Sequence, residues 1–229
     1  MNKALKILLH VVLLALIAGL VYLIVDSIMQ PVNFNKQKDA RTAVAVQRLK
    51  DIRTLEVAYK SVTEHYTADP DSLILFYNTG KMDIIMQIGS NDDSLAVANT
   101  EKLKKQNRKI TPQQMYERYL KGENLVFSIK NSIAVKDTLF HGRPDFVVDS
   151  IKYIPFSGGQ LVEMDAIVKT VSGVNVPLFE AKMPYKALLK GLDNQLRINL
   201  DADCRAANRY EGLQVGSVTA PNNNAGNWE

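Results

Sequence analysis

From Ile7 to Val25 the chain runs ILLHVVLLALIAGLVYLIV, without one Asp, Glu, Lys or Arg. In α-helical form, at about 1.5 Å of rise per residue, this run is as long as a bilayer's hydrocarbon core is thick. Its only ionisable groups are His10 and Tyr22. Lys3 and Lys6 supply a basic start, but the apolar run exceeds an ordinary signal-peptide core. The following Asp26-Ser27-Ile28-Met29-Gln30 lacks a small-x-small cleavage site. An uncleaved signal anchor is therefore expected, with a cleaved signal or a buried soluble helix as alternatives. Lys3 and Lys6 favour a cytoplasmic N-terminus, while Lys36, Lys38 and Arg41 pull the other way from further off. Long C-terminal domains cross largely regardless of charge. The expectation is a single pass through the inner (cytoplasmic) membrane, with the C-terminal part in the periplasm.

The remainder of the 229 residues suffices for one domain, or for a domain and a helical stalk. A net charge of +4 falls short of the basic excess of a nucleic-acid binder, so no nucleic-acid partner is expected. Cys204 is the only cysteine, which excludes an intramolecular disulfide and a multi-cysteine zinc site. It is expected to be a small buried side chain.

Gln30-Pro31 is expected to break or turn the helix, because proline has no N–H and restricts the residue before it. A charged amphipathic helix then follows over residues 36–66. Ala45, Leu49, Ile52, Leu55, Tyr59, Val62 and Tyr66 succeed one another at steps of three or four, one face of a helix. Ala45, Ile52, Tyr59 and Tyr66 also stand at intervals of seven, which permits a coiled-coil seam. The stripe either packs on the chain's own sheet or serves self-association or a partner helix. On the second reading Leu49, Ile52, Leu55, Tyr59 and Val62 are candidate interaction residues. Glu56 and Lys60 are spaced as a favourable ion pair.

The stretch RLKDIRTLEVAYKSVTEHYTADPDSLILF carries Leu49, Ile52, Leu55, Tyr59 and Tyr66, then Asp69-Pro70-Asp71-Ser72-Leu73. It resembles the end of the long helix in type IV pilins and type II secretion pseudopilins. That resemblance implies a place in a secretion or surface-assembly complex. The chain departs from the pilin pattern at the prepilin peptidase site: Gly19 lies within the apolar run, Leu20 follows it, and no Glu lies in the span. A permanent tether is thus expected, not a processed filament subunit. The segments SIKYIPFSGGQ and VPLFEAKMPYKALL, with the ending GLQVGSV…GNWE, are similar to uncharacterised membrane-anchored envelope proteins of Bacteroidota.

Further along, residues 70–79 form a short helix pattern ending near Gly80. Residues 82–88 suit a strand or a buried helical turn. Asp92, Asp93 and Ser94 can cap a helix over 95–106. Lys102, Lys104, Lys105, Arg108 and Lys109 crowd its end, where cations suit the helix dipole. The same five form a candidate patch for anionic lipid, a polyanion or a partner. Thr111-Pro112-Gln113-Gln114 has the form of a capping box with proline at the first helical position, and its helix stops before Gly122.

From residue 124 the pattern turns to strands: 125–129, 133–136, 146–155, 160–170 and 174–184. The turn sequences Ser157-Gly158-Gly159 and Ser172-Gly173 join the last three into an antiparallel meander. A bulge is admitted near Val176, Leu178 and Ala181. Residues 185–192 suit a helix. Asp201 is expected to cap another over 202–210, with Asp203 in its first turn, and 213–218 a last strand. The tail 219–229 is rich in asparagine and small residues and is expected to be disordered.

No H-E-x-x-H, G-x-S-x-G or phosphate-loop sequence occurs. His65 is expected to be solvated and His141 to lie in a loop. Glu163 and Asp165 share one strand face, and a catalytic pair there would need unequal environments. The chain is therefore expected to be α+β: a membrane anchor (1–30), an amphipathic stalk (31–66), a domain with an antiparallel sheet packed on helices (67–218), and the tail. The expected function is non-enzymatic, without metal or cofactor: a scaffold or interaction component of an envelope assembly. The alternative is a membrane-tethered module that binds a lipid or glycan.

Overall fold

A computed structural model describes residues 3–229, with side chains from Leu9 onward. The side chains of Lys3, Lys6, Ile7 and Leu8 lie outside the described residues. The chain is α+β, as its patterning predicts, and it divides into two compact units. One joins the chain up to Thr54 to Ser150–Glu229; the other is Leu55–Asp149.

Helix α1, Lys3–Thr63, supplies residues to both units. It continues through Pro31, where a break was expected. Proline here removes one backbone hydrogen bond from a very long helix. Helical cooperativity carries the turns on either side, and Phe34, one turn on, is buried. The apolar stretch thus continues directly into the long amphipathic helix, as the α+β layout expects. It ends at Thr63, and Glu64 takes a positive φ of 67°.

In the first unit, strands β3 (Glu163–Val171), β4 (Val174–Pro184) and β5 (Gly212–Gly216) form an antiparallel sheet in that order. Ser172 and Gly173 make a two-residue turn with φ of 51° and 82°, the positive pair that matches strand twist. Pairing runs without a bulge from Val171–Val174 to Glu163–Lys182. Pro177 is tolerated in β4 because β5 pairs only with residues from Glu180 onward, leaving that side of Pro177 with no ladder to complete. Phe179, Ala181 and Met183 of β4 and Leu213 and Val215 of β5 are buried on one face. Helix α6 (Tyr185–Leu188) packs on β4 and β5, and α7 (Asn194–Ala206) packs on α6.

Three expectations for this unit are corrected. Residues 146–155 are not a strand: Val148–Lys152 is a 3₁₀ turn, where Asp149 and Ser150 favour local turns over a ladder. The meander is completed by β5 instead. Helix α7 starts earlier than expected: Asp193 Oδ1 accepts the Leu196 N–H at 2.8 Å as its cap, and Asp201 and Asp203 lie inside the helix. The tail is ordered. Gly226 bridges to Val215, Asn227 Nδ2 donates to the Gly212 carbonyl at 2.9 Å, and Arg53 Nη1 donates to Glu229 Oε1 at 2.7 Å. Asn223 and Asn224 take positive φ values of 55° and 57°, a conformation asparagine tolerates, so this run is a turn.

In the second unit, α2 (Pro70–Thr79) starts on Asp69, whose carboxylate accepts the N–H groups of Asp71 and Ser72. Strand β1 (Lys81–Ile88) pairs antiparallel with β2 (Phe127–Ala134). This single β2 replaces the two strands expected at 125–129 and 133–136; Val135–Thr138 is a short helix, α5. Helices α3 (Ser94–Gln106) and α4 (Pro112–Leu120) stand as predicted, with Asp93 capping the first. Thr111 and Gln114 form the reciprocal capping box of the second. Leu103, Met115, Leu125, Phe127 and Ile129 make one core cluster, and Ala58, Phe76 and Val135 another.

Candidate functional site

Leu49, Ile52 and Leu55 have no solvent exposure at all. Tyr59 is half-buried and sets its ring edge-on to Phe76 at 5.3 Å. Of the five stripe residues only Val62 is well exposed, at 48%. The stripe is core of this chain, which corrects its reading as a surface for a partner helix. A 3.6-residue period marks a buried face without saying what covers it. Lys102, Lys104, Lys105, Arg108 and Lys109 are all exposed. Lys104 and Lys105 occupy the last turn of α3, and Arg108 and Lys109 follow the helix.

Glu56 does not pair with Lys60. It is fully buried, its Oε2 accepts the Thr67 N–H at 3.2 Å, and its Oε1 has no partner among the described residues. Lys60 Nζ lies instead over the Tyr66 ring, 4.9 Å from its centroid. Burial pushes the Glu56 carboxyl from its ordinary 4.5 up to about 8, against the pull of the Thr67 hydrogen bond. The folded chain thus keeps a proton that the unfolded chain has released. Stability contributed by this group is present in full below pH 4.5 and is lost as pH rises to about 8. Glu56→Gln should abolish that loss. The unfolding free energy of the wild type, from urea titration, should fall between pH 5 and 8 by an amount on the order of a few kcal/mol, and that of the variant should not.

The concave surface of the first unit lies elsewhere. One cleft of about 620 Å³ is walled by α6, α7 and the start of β3. An adjoining hollow of about 790 Å³ shares Glu163, Pro184, Lys186 and Arg197 with it. On α7, Arg197, Asp201 and Arg205 recur at steps of four and so share a helix face. Arg197 Nη1 is hydrogen-bonded to Asp201 Oδ2, and Arg197 Nε and Nη2 donate to Asn194 Oδ1 at 3.2 and 2.9 Å. Arg205 Nη1 donates to Glu211 Oε2 at 2.8 Å. The Asp201 side chain is only 8% exposed, and its Oδ1 has no partner among the described residues. Burial raises its pKa, with the Arg197 charge pulling it back. Tyr210 also lines the cleft, and burial, then the charges of Glu163, Glu180 and Glu211, push its hydroxyl pKa up.

Of these cleft residues the sequence had singled out for chemistry only Glu163, as half of a carboxylate pair with Asp165. Asp201 was expected to be a helix cap. The signal that locates it is the Arg197-Asp201-Arg205 ladder, legible once α7 is begun at Asp193. Glu163 and Asp165 do not form a pair in the cleft: only Glu163 lines it. His65 is exposed, and His141 is exposed in the turn after α5. Cys204 is buried, as expected. Among the described residues no group of three or more His, Cys, Asp or Glu is placed to hold a metal ion.

At the other end of the first unit, every described side chain from Leu9 to Gln30 is exposed. The apolar part of α1 is the one helix, among the described residues, long and apolar enough to cross a membrane. It is compatible with membrane anchoring. No known protein family's profile matches the chain, and no curated protein and no solved structure shows significant similarity to it.

Proposed function

We propose that this protein is a non-enzymatic, single-pass inner-membrane protein whose folded part faces the periplasm as an interaction component of an envelope assembly. What supports the reading is the continuity of α1. The exposed apolar stretch beginning at Leu9 and the buried Ala45, Leu49 and Ile52 belong to one unbroken helix. A folded part built on the anchoring helix itself is held at the bilayer without a spacer. The pilin-like layout of the sequence points to an assembly of the secretion or pseudopilin kind. With the stripe buried, the partner surface passes to the exposed Lys102, Lys104, Lys105, Arg108 and Lys109.

Two measurements test this. Protease added to spheroplasts should remove a C-terminal tag; a tag protected until the membrane is broken would place the domain in the cytoplasm and refute the orientation. Reversing Lys102, Lys104 and Lys105 to glutamate should abolish co-isolation of partners from detergent-solubilised membranes. Unchanged partner recovery would count against that surface. A second reading, a tethered module that binds a lipid or glycan, is favoured by the cleft around Asp201.

A further inference from the structure

Strand β3 is the edge of its sheet. It pairs with β4 on one side; on the other, nothing pairs with it from Met164 to Thr170 among the described residues. The alternation of an antiparallel ladder says which groups are left over. Val171 and Val174 close the two-residue turn, so they and every second pair before them exchange the hydrogen bonds between β3 and β4. Met164, Ala166, Val168 and Thr170 therefore turn their N–H and C=O groups to the open side. The same parity shows at the foot of the strand. There the Val162 N–H donates outward to the Lys152 carbonyl at 2.9 Å, and the Ile154 N–H donates to the Gln160 carbonyl at 2.8 Å. Tyr153 bridges Leu161 in the antiparallel sense.

The chain thus begins a fourth strand on this edge and abandons it. At Lys152 it passes into the 3₁₀ turn Val148–Lys152, and the line it occupied stays open beside the rest of β3. Edges kept from pairing are usually short, bulged or interrupted by proline. β3 has nine residues, no proline and no bulge. Ile167 and Val168, on its opposite faces, are exposed. On one face Asp165, Ile167 and Lys169 alternate as acid, apolar residue and base, all exposed. Lys169 Nζ donates to the neutral Thr219 carbonyl, so its charge is not cancelled. A second copy anchored in the same bilayer fits this edge poorly. The two-fold axis of an antiparallel pair of identical edges stands perpendicular to the sheet and reverses any helix lying along it. α1 is held side-on, Arg41, Arg48 and Arg53 donating to the carbonyls of Leu188, Tyr153 and Asn224, and a helix layered on a sheet lies along its plane.

We propose that the open edge of β3 takes an antiparallel strand from a partner protein, an extended segment with an acid, an apolar residue and a base at alternate positions. Its base stands opposite Asp165, its apolar residue opposite Ile167 and its acid opposite Lys169. These are non-hydrogen-bonded pairs, in which facing side chains come closest. Its backbone completes the N–H and C=O groups of Met164, Ala166, Val168 and Thr170, as in other strand additions to a free edge. The inference rests on the interaction-component reading and names a second surface for it, apart from the lysines around α3.

The probe is a free, end-capped, dye-labelled peptide of residues 164–170, MDAIVKT. Paired antiparallel about Ile167, it sets its lysine opposite Asp165 and its aspartate opposite Lys169, and it has no anchor to reverse. Fluorescence anisotropy against the full-length protein in micelles, with empty micelles as the blank, should show saturable binding. N-methylation of the peptide at Ala166 and Val168, whose N–H groups face the edge, should weaken binding about tenfold or more, for two lost hydrogen bonds. N-methylation at Ile167 and Lys169, whose N–H groups face away, should change it by less than about twofold. A peptide with Asp165→Lys and Lys169→Asp sets like charges opposite each other and should bind several-fold more weakly. In the protein, Val168→Pro removes an edge donor and no bond to β4, where Val168 already faces Pro177. It should abolish binding with the Trp228 emission unchanged; if that variant unfolds, the methylated peptides decide. Absence of saturable binding overturns the proposal, and so does an equal effect of the two methylation patterns. Either result leaves the lysine surface and the wider reading to their own tests. A full-length protein that is dimeric in micelles and monomeric as Val168→Pro would give the edge to a second copy and overturn the partner assignment.

Discussion

Aspartate in place of Leu49 is expected to unfold the first unit. Leu49 has no solvent exposure and lies on α1 between Ala45 and Ile52, which have none either. Truncating a buried leucine to alanine typically costs about 2–5 kcal/mol. A carboxylate adds desolvation of a charge with no partner. The total approaches or exceeds the roughly 5–15 kcal/mol that holds an ordinary domain together. The molecule has a single tryptophan, Trp228, in the tail that Arg53 ties to α1, so its fluorescence reports on this unit. The variant should show the unfolded emission in micelles without denaturant, whereas Val62→Asp, at a 48%-exposed position of the same stripe, should leave a native urea transition. A folded Leu49→Asp protein would mean that the stripe is not core.

Aspartates at Leu13 and Ile17 together should move the chain from the membrane fraction to the soluble fraction. These side chains are 53% and 48% exposed, so no packing within the chain is lost with them. What changes is transfer to lipid. Aspartate near the centre of a span costs about 2.5–3.5 kcal/mol, and each leucine or isoleucine removed forfeits about 0.3–0.6 more. Two such changes amount to roughly 6–8 kcal/mol against insertion. Fractionation by flotation, with the Trp228 emission as a check on folding, reads the outcome. Retention of the doubly substituted chain in the membrane would show that something other than this stretch holds it there.

Features set by neighbouring residues were legible in the sequence. The Thr111–Gln114 capping box, the end of α2 at Gly80 and the Ser172-Gly173 turn each depend on a few adjacent side chains, and all were found. Features decided at a distance were not. The Asp201 carboxylate looks like a cap locally, and only the start of α7 at Asp193 makes it a buried partner of Arg197. The residues at 219–229 are too polar to signal order, because their order comes from backbone pairing with β5 and from Arg53. The stripe on α1 was visible, but periodicity alone could not tell a core face from a free one. Glu56 carried a misleading local signal: a helix spacing suited to Lys60 hid a burial that only tertiary packing creates.

One hydrogen bond fixes how this molecule meets its surroundings. Gln30, just over one helical turn beyond Val25, donates through Nε2 to Asp193 Oδ2 at 2.7 Å, and Asp193 opens the helix that carries Asp201. A module on a flexible linker searches a volume that grows with linker length, and its effective concentration at the membrane falls accordingly. Here the connection is continuous helix, with no flexible linker. If α1 anchors in a bilayer as proposed, the first unit's encounters are confined to the layer against it, and it meets what diffuses in two dimensions far more often than what diffuses in three.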